Sequence, residues 1–192
     1  MPQICILRSF VVMPVTIDFA ETYPPETLAD DLSEMTFISP QKDGSGQILM
    51  VQIAPHPDPL LPNVYNLGFG PPGGNGSFID NVRLRHADID KVFSTVLFHA
   101  LTFLGDHRDL TIGVDGSDDL RARLYHGMFK SNKQYLSEHF IPIGVDWYVR
   151  YFRNGDYEKD KNGEPLPKPR PEPFDYDRDN NDLYRYYMFR LK

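Results

Sequence analysis

Between residues 88 and 105, Ile89, Val92, Phe93, Val96, Leu97, Ala100, Leu101 and Leu104 recur every three to four positions. At 3.6 residues per turn these side chains form one stripe on one helix face, and a stripe that wide has to be buried against another apolar surface. Asp88 suits the N-cap of this helix and Gly105 its C-terminal stop. The chain is thereby committed to a packed core, with the stripe as core rather than a binding groove.

Everything before this helix reads as short strands broken by proline and glycine. Residues 4–7 and 10–12 are brief apolar runs with strand character, followed by Pro14, Pro24 and Pro25. Residues 26–35 fit one short helix with Leu32 and Met35 on one face. After the Gly44-Ser45-Gly46 turn signal, residues 48–53 and 64–70 read as strands; in the second, Tyr65, Leu67 and Phe69 share a face. Residues 71–76 form a loop. Beyond the long helix, residues 110–114 form a strand. Gly116-Ser117 then turns the chain into a second helix, with Ser117 as N-cap, Asp118 and Asp119 complementing its dipole, and Leu120, Leu124 and Met128 as its inward row towards Leu136. Residues 141–152 are a strand with alternating Val145, Trp147, Val149 and Tyr151, and residues 183–191 a closing strand.

Between these last two, proline stands at every other position from Pro165 to Pro173, and the stretch 154–182 holds nine acidic and five basic residues. This reads as a polyproline-type surface excursion whose removal should leave the rest folded. The pattern gives an α+β fold, a mostly antiparallel sheet with two main helices packed on it. It is a single domain over residues 1–192, with 1–45 as an irregular N-terminal part and 154–182 as a proline-rich acidic loop within a terminal hairpin.

Composition narrows the function classes. With 192 residues, 41% of them hydrophobic, one core is the expectation. A net charge of −7 argues against a duplex DNA binder, which needs a basic surface for phosphates. No run approaches the ~18 apolar residues of a membrane helix. The single cysteine, Cys5, has no partner for an internal disulfide, and no cleavage site follows the apolar start, which together suggest a cytoplasmic protein.

Dedicated chemistry is sparse. Residues 115–126 begin like a calcium loop, but Leu120 stands where glycine is needed and His126 where a bidentate glutamate is needed. The six histidines show no metal-ligand spacing, so neither a metal nor a cofactor is expected; no nucleophile elbow or P-loop lysine occurs either. One constellation stands out. Ser117, Arg121, Arg123, Tyr125 and His126 follow a strand and open a helix, where backbone amides and two arginines can meet a phosphate or carboxylate. Asp115, Asp118 and Asp119 oppose that reading, since they would repel an anion or hold the arginines themselves. On physics alone the structural tie is slightly favoured.

The ordered set Tyr65-Asn66-Leu67-Gly68-Phe69-Gly70, Gly116-Ser117 leading to Arg121-Ala122-Arg123-Leu124-Tyr125, and Phe140-Ile141-Pro142-Ile143-Gly144 resembles a family of small uncharacterised bacterial proteins, a domain of unknown function. The resemblance spans roughly residues 50–152 plus the closing strand, and the long N-terminal part and proline-rich insertion depart from it. It transfers no activity. It implies an association with toxin–antitoxin or phage-defence modules, in which the chain would act by binding a protein partner or itself. The alternative is a small metal-independent enzyme acting on RNA or a nucleotide, with Arg121 and Arg123 on phosphate and Tyr125 or His126 moving protons.

Overall fold

The computed structural model describes residues 14–79, 82 and 84–192, so the strands expected at 4–7 and 10–12, with Cys5, lie outside the described residues. Residues 26–35 form no helix. They belong to a hairpin of β1 (Pro25–Leu28) and β2 (Glu34–Pro40), so residues 25–40 of the N-terminal part expected to be irregular enter the sheet. Two local features stop the helix. Leu32 lies at φ 58°, outside right-handed helical space, and the Asp31 carboxylate accepts from the N–H and hydroxyl of Ser33. From Met35 on, Met35, Phe37 and Ser39 are buried alternately, a period of two that only a strand provides.

β3 (Gly46–Pro55) and β4 (Val64–Gly70) extend the antiparallel run, and α1 (Ile89–Asp106) then crosses over to β5 (Thr111–Asp115), which lies parallel to β4. Asp88 caps α1 as expected, its carboxylate accepting from the Lys91 N–H at 2.9 Å. The helix does not stop at Gly105: it runs through Asp106, and His107 caps it, its N–H bonded to the Phe103 and Leu104 carbonyls. α2 (Asp119–Ser131) and the single turn α3 (Lys133–Leu136) follow, then β6 (Phe140–Val149), β7 (Pro167–Pro173) and β8 (Tyr186–Leu191). The sheet order is β1-β2-β3-β4-β5-β8-β6-β7, antiparallel throughout except at β4–β5. The fold is α+β, in one domain.

Both long helices pack on one sheet face. Val92, Val96, Leu97 and Leu104 of α1 and Met128 and Phe129 of α2 share one core with Phe37, Leu49, Val51, Ile112, Tyr187 and Phe189. The other face carries a small cluster in which Leu61, from the β3–β4 loop, covers Val64, Val145, Tyr186 and Met188. Among the described residues no helix is long and apolar enough to cross a membrane.

The proline segment is a second correction. Pro167–Pro173 forms an edge strand in seven-pair register with β6 rather than a detached loop. Prolines at 167, 169, 171 and 173 put every missing N–H on one side, so the amides of Lys168, Arg170 and Glu172 make the ladder while the prolines face outward. Spacing in steps of two is what allows this. The segment is also anchored beyond the strand. Phe174 enters the main core, and Arg178, at 13% side-chain exposure, binds Asp146, Glu172 and Asp182 and stacks on Tyr184.

Candidate functional site

β4 and β5 pair over Val64↔Thr111, Tyr65↔Ile112 and Asn66↔Gly113 and then part, although β4 continues to Gly70 and β5 to Asp115. β5 stays on β8 to its end, Val114 and Asp115 pairing with Tyr187 and Tyr186. Between the diverging carboxyl ends lies an open cleft of about 920 Å³. Ends of parallel strands are where α/β sheets habitually take ligands, because the loops leave the sheet there. Leu67, Phe69, Phe93 and Leu124 line the cleft on the helix side, and Gln52, Asn66, Phe78, Trp147 and Tyr186 on the other.

Close packing of tyrosine and phenylalanine on glycine shapes the floor. Tyr186 lies across Gly113 so closely that a Cβ there would overlap its hydroxyl, and that hydroxyl donates to Asn66 Oδ1. The ring of Phe78 sits on Gly68 in the same manner, bringing the 71–79 loop back over β4. Gln52 fastens this loop by donating to the Gly76 carbonyl at 2.7 Å. His56 meets Tyr186 edge-on, with ring centres 5.1 Å apart.

The helix predicted to carry recognition reaches the cleft in part. Arg121 and Tyr125, four residues apart, both line it, together with Ser117 at the β5–α2 turn. Ser117 is not the N-cap. Its N–H and hydroxyl both donate to Asp115, and Asp118 caps α2 by accepting from the Arg121 N–H at 2.8 Å. The backbone amides at the helix start are therefore partly spent on an aspartate. The Arg121 guanidinium stands 3.3 Å from Asp118 and 4.0 Å from Asp115, the tie to neighbouring acids that physics favoured. Arg123 is exposed and does not line the cleft. His126 is buried on the far side against Phe174, and neither ring nitrogen has a hydrogen-bond partner among the described residues. The expected inward row changes as well: Leu120 is 60% exposed at the cleft, and Ala122, His126, Met128 and Phe129 face the core. The helix ends at Asn132, whose side chain is spent on Val15, Ile17 and Met128.

At its α2 end the cleft is lined by Asp115, Arg121 and Arg185. Asp119 is bonded to Arg185 at 2.7 Å, and that hydrogen bond and charge hold its carboxyl below the usual range. Burial pushes the Tyr125 hydroxyl up to about 12, with Arg121 opposing and Asp115 and Asp118 adding to the shift, so the group stays a neutral donor at physiological pH. Burial also lowers the pKa of His86, another lining residue, and keeps its ring neutral. Among the described residues no three His, Cys, Asp or Glu side chains are grouped to hold a metal ion.

Sequence reasoning missed Gln52, His56, Asn66, Trp147, Arg185 and Tyr186. Asn66 had a signal: in a strand whose Tyr65, Leu67 and Phe69 face the core, it is the polar residue turned to the other face. Tyr186 had none, since its place beside Asn66 follows from β8 inserting between β5 and β6.

Compared with known families, the chain matches DUF6934, described as a family of unknown function, over residues 19–162. The match takes in β1 to β3, so this part of the N-terminal region is no departure from the family, whereas β7 and β8 lie beyond it. No curated protein and no solved structure matches the chain.

Proposed function

The chain belongs to DUF6934, a family of unknown function, and from its cleft we propose that it is a binding protein that takes a small organic ligand between β4, β5 and α2. The observation that carries this reading is the cleft itself: about 920 Å³, walled mainly by apolar and aromatic side chains, with a few polar groups converging from three elements. Arg121 and Tyr125 are its recognition residues on α2, with Ser117 beside them, while Arg123 and His126 take no part. An enzyme of RNA or nucleotides would need Arg121 and Arg123 to converge on phosphate. One stands between two carboxylates and the other points away, so the binding reading is favoured.

The association with toxin–antitoxin or phage-defence modules, implied by the resemblance, would make the ligand or a protein partner a product of the same locus. Growth on induced expression, with and without the neighbouring gene, tests that association. The cleft reading has a built-in reporter, since Trp147 is the one tryptophan of the chain and lines the site. A set of small aromatic fragments is screened by its emission, with amide chemical shifts locating each hit. Hits that move Asn66, Gly113 and Tyr125 together are expected; hits gathered elsewhere, or none, overturn the reading.

A further inference from the structure

Resting on the cleft as the binding site, we infer that its ligand is a neutral planar molecule held chiefly through hydrogen-bond acceptors, such as amide or ring carbonyl oxygens, rather than a phosphate, carboxylate or cation. The polar groups of the cleft divide into those the protein already uses and those it leaves over. Among the described residues the charges are used. Arg121 lies between Asp115 and Asp118, and Arg185 is bonded to Asp119. An arriving anion would have to displace a carboxylate and then sit beside it, which costs Coulomb energy in a half-desolvated cleft.

The groups left over are mostly neutral donors. The Tyr125 hydroxyl lines the cleft with no hydrogen-bond partner among the described residues. Asn66 accepts from Tyr186 through Oδ1, which leaves both its amide protons over. His56 accepts the Asp58 N–H on Nδ1 at 3.0 Å, which leaves Nε2 as the donor side of its ring. The indole N–H of Trp147 has no partner among the described residues either. On the acceptor side, Gln52 donates twice, to Glu34 and to the Gly76 carbonyl, and leaves Oε1 over. A ligand that desolvates four donors without supplying acceptors would leave them unpaired, and sites built this way discriminate strongly for the matching group. Phe69 and Phe93 on one side and Phe78 and Trp147 on the other offer ring surfaces to a planar body.

Three probes with the same ring and different head groups test this on the full chain: benzamide, benzoate and benzamidine, each titrated by Trp147 emission with amide shifts to confirm the place. Benzamide is expected to bind at least about tenfold more tightly than either charged probe. Tyr125→Phe is expected to weaken benzamide by about five- to tenfold at an unchanged melting temperature, because the hydroxyl has no hydrogen-bond partner to lose among the described residues. Benzoate or benzamidine binding as tightly as benzamide overturns the inference, as does an unaltered benzamide affinity in Tyr125→Phe. If none of the three enters the cleft while other fragments do, the ligand class is wrong and the cleft reading stands. If no fragment enters at all, the cleft reading itself falls.

Discussion

Arg121 and Arg123 sit two residues apart on α2, yet the structure gives them different roles. Arg121 reaches two aspartates at 3.3 and 4.0 Å, whereas Arg123 is exposed. Arg121→Gln is expected to lower the melting temperature by about 1–3 °C, the effect of a partly exposed ion pair worth up to about 1 kcal/mol, while Arg123→Gln leaves it unmoved. Equal effects in a thermal melt would refute the assignment. His126 makes a second prediction at this scale. Burial lowers its pKa, as it does for His99 and His86, so in the unfolded chain all three take up protons near pH 6.5 before the folded protein does. Stability therefore falls as the pH drops below about 6.5, because the unfolded state binds more protons there. His126→Leu, which also removes two ring nitrogens without a hydrogen-bond partner among the described residues, should flatten that decline and cost little at pH 7.5. Urea midpoints at pH 7.5 and 5.5 compare the two proteins, and an identical decline in the variant would refute the role.

At the scale of elements, α1 buries its apolar stripe except at Ile89, which is exposed and lines the cleft with Phe93. Leu97 is 3% exposed within the main core, so Leu97→Ala should cost about 2–5 kcal/mol in denaturant unfolding; a loss below about 0.5 kcal/mol would place that face in solvent. β7 is the element that composition misrepresents. Deleting residues 158–182 is expected to abolish cooperative unfolding, because it strips the outer strand from β6, withdraws Phe174 from the core and leaves Asp146 without Arg178. A retained sharp melting transition would restore the picture of a dispensable loop. The prolines also blunt this edge, since a strand whose outward positions lack N–H groups cannot donate to a neighbouring chain.

For the whole molecule, the chain is closed by its last strand. β8 pairs with β5 on one side and β6 on the other, and its Tyr187 and Phe189 are fully buried. A chain ending at residue 162, where the family match ends, would lack both this strand and Tyr186 in the cleft. It is expected to be soluble only as a partly ordered species without dispersed amide shifts; a native-like spectrum from it would contradict the central role of β8. The cleft is likewise a property of the whole, since strands, loops and helices from six separate stretches of the chain meet in it.

Local sequence settles whatever depends on near neighbours. The period of 3.6 in residues 89–104, the alternation at Tyr65, Leu67 and Phe69, and the α+β order of elements all rest on contacts within a few residues, so they are legible in the amino-acid order itself. Arg121 and Tyr125 are legible for the same reason, being one helical turn apart. Long-range pairing decided the rest. It turned 26–35 into a hairpin, because pairing Met35 with Val51 buries more than an isolated short helix could. It made the proline segment a strand by supplying β6 as a partner. It assembled the cleft by inserting β8 between β5 and β6, which brought Tyr186 to Asn66 across 120 residues. Contacts at that separation are fixed by sheet order and burial, and neither is written in any local pattern.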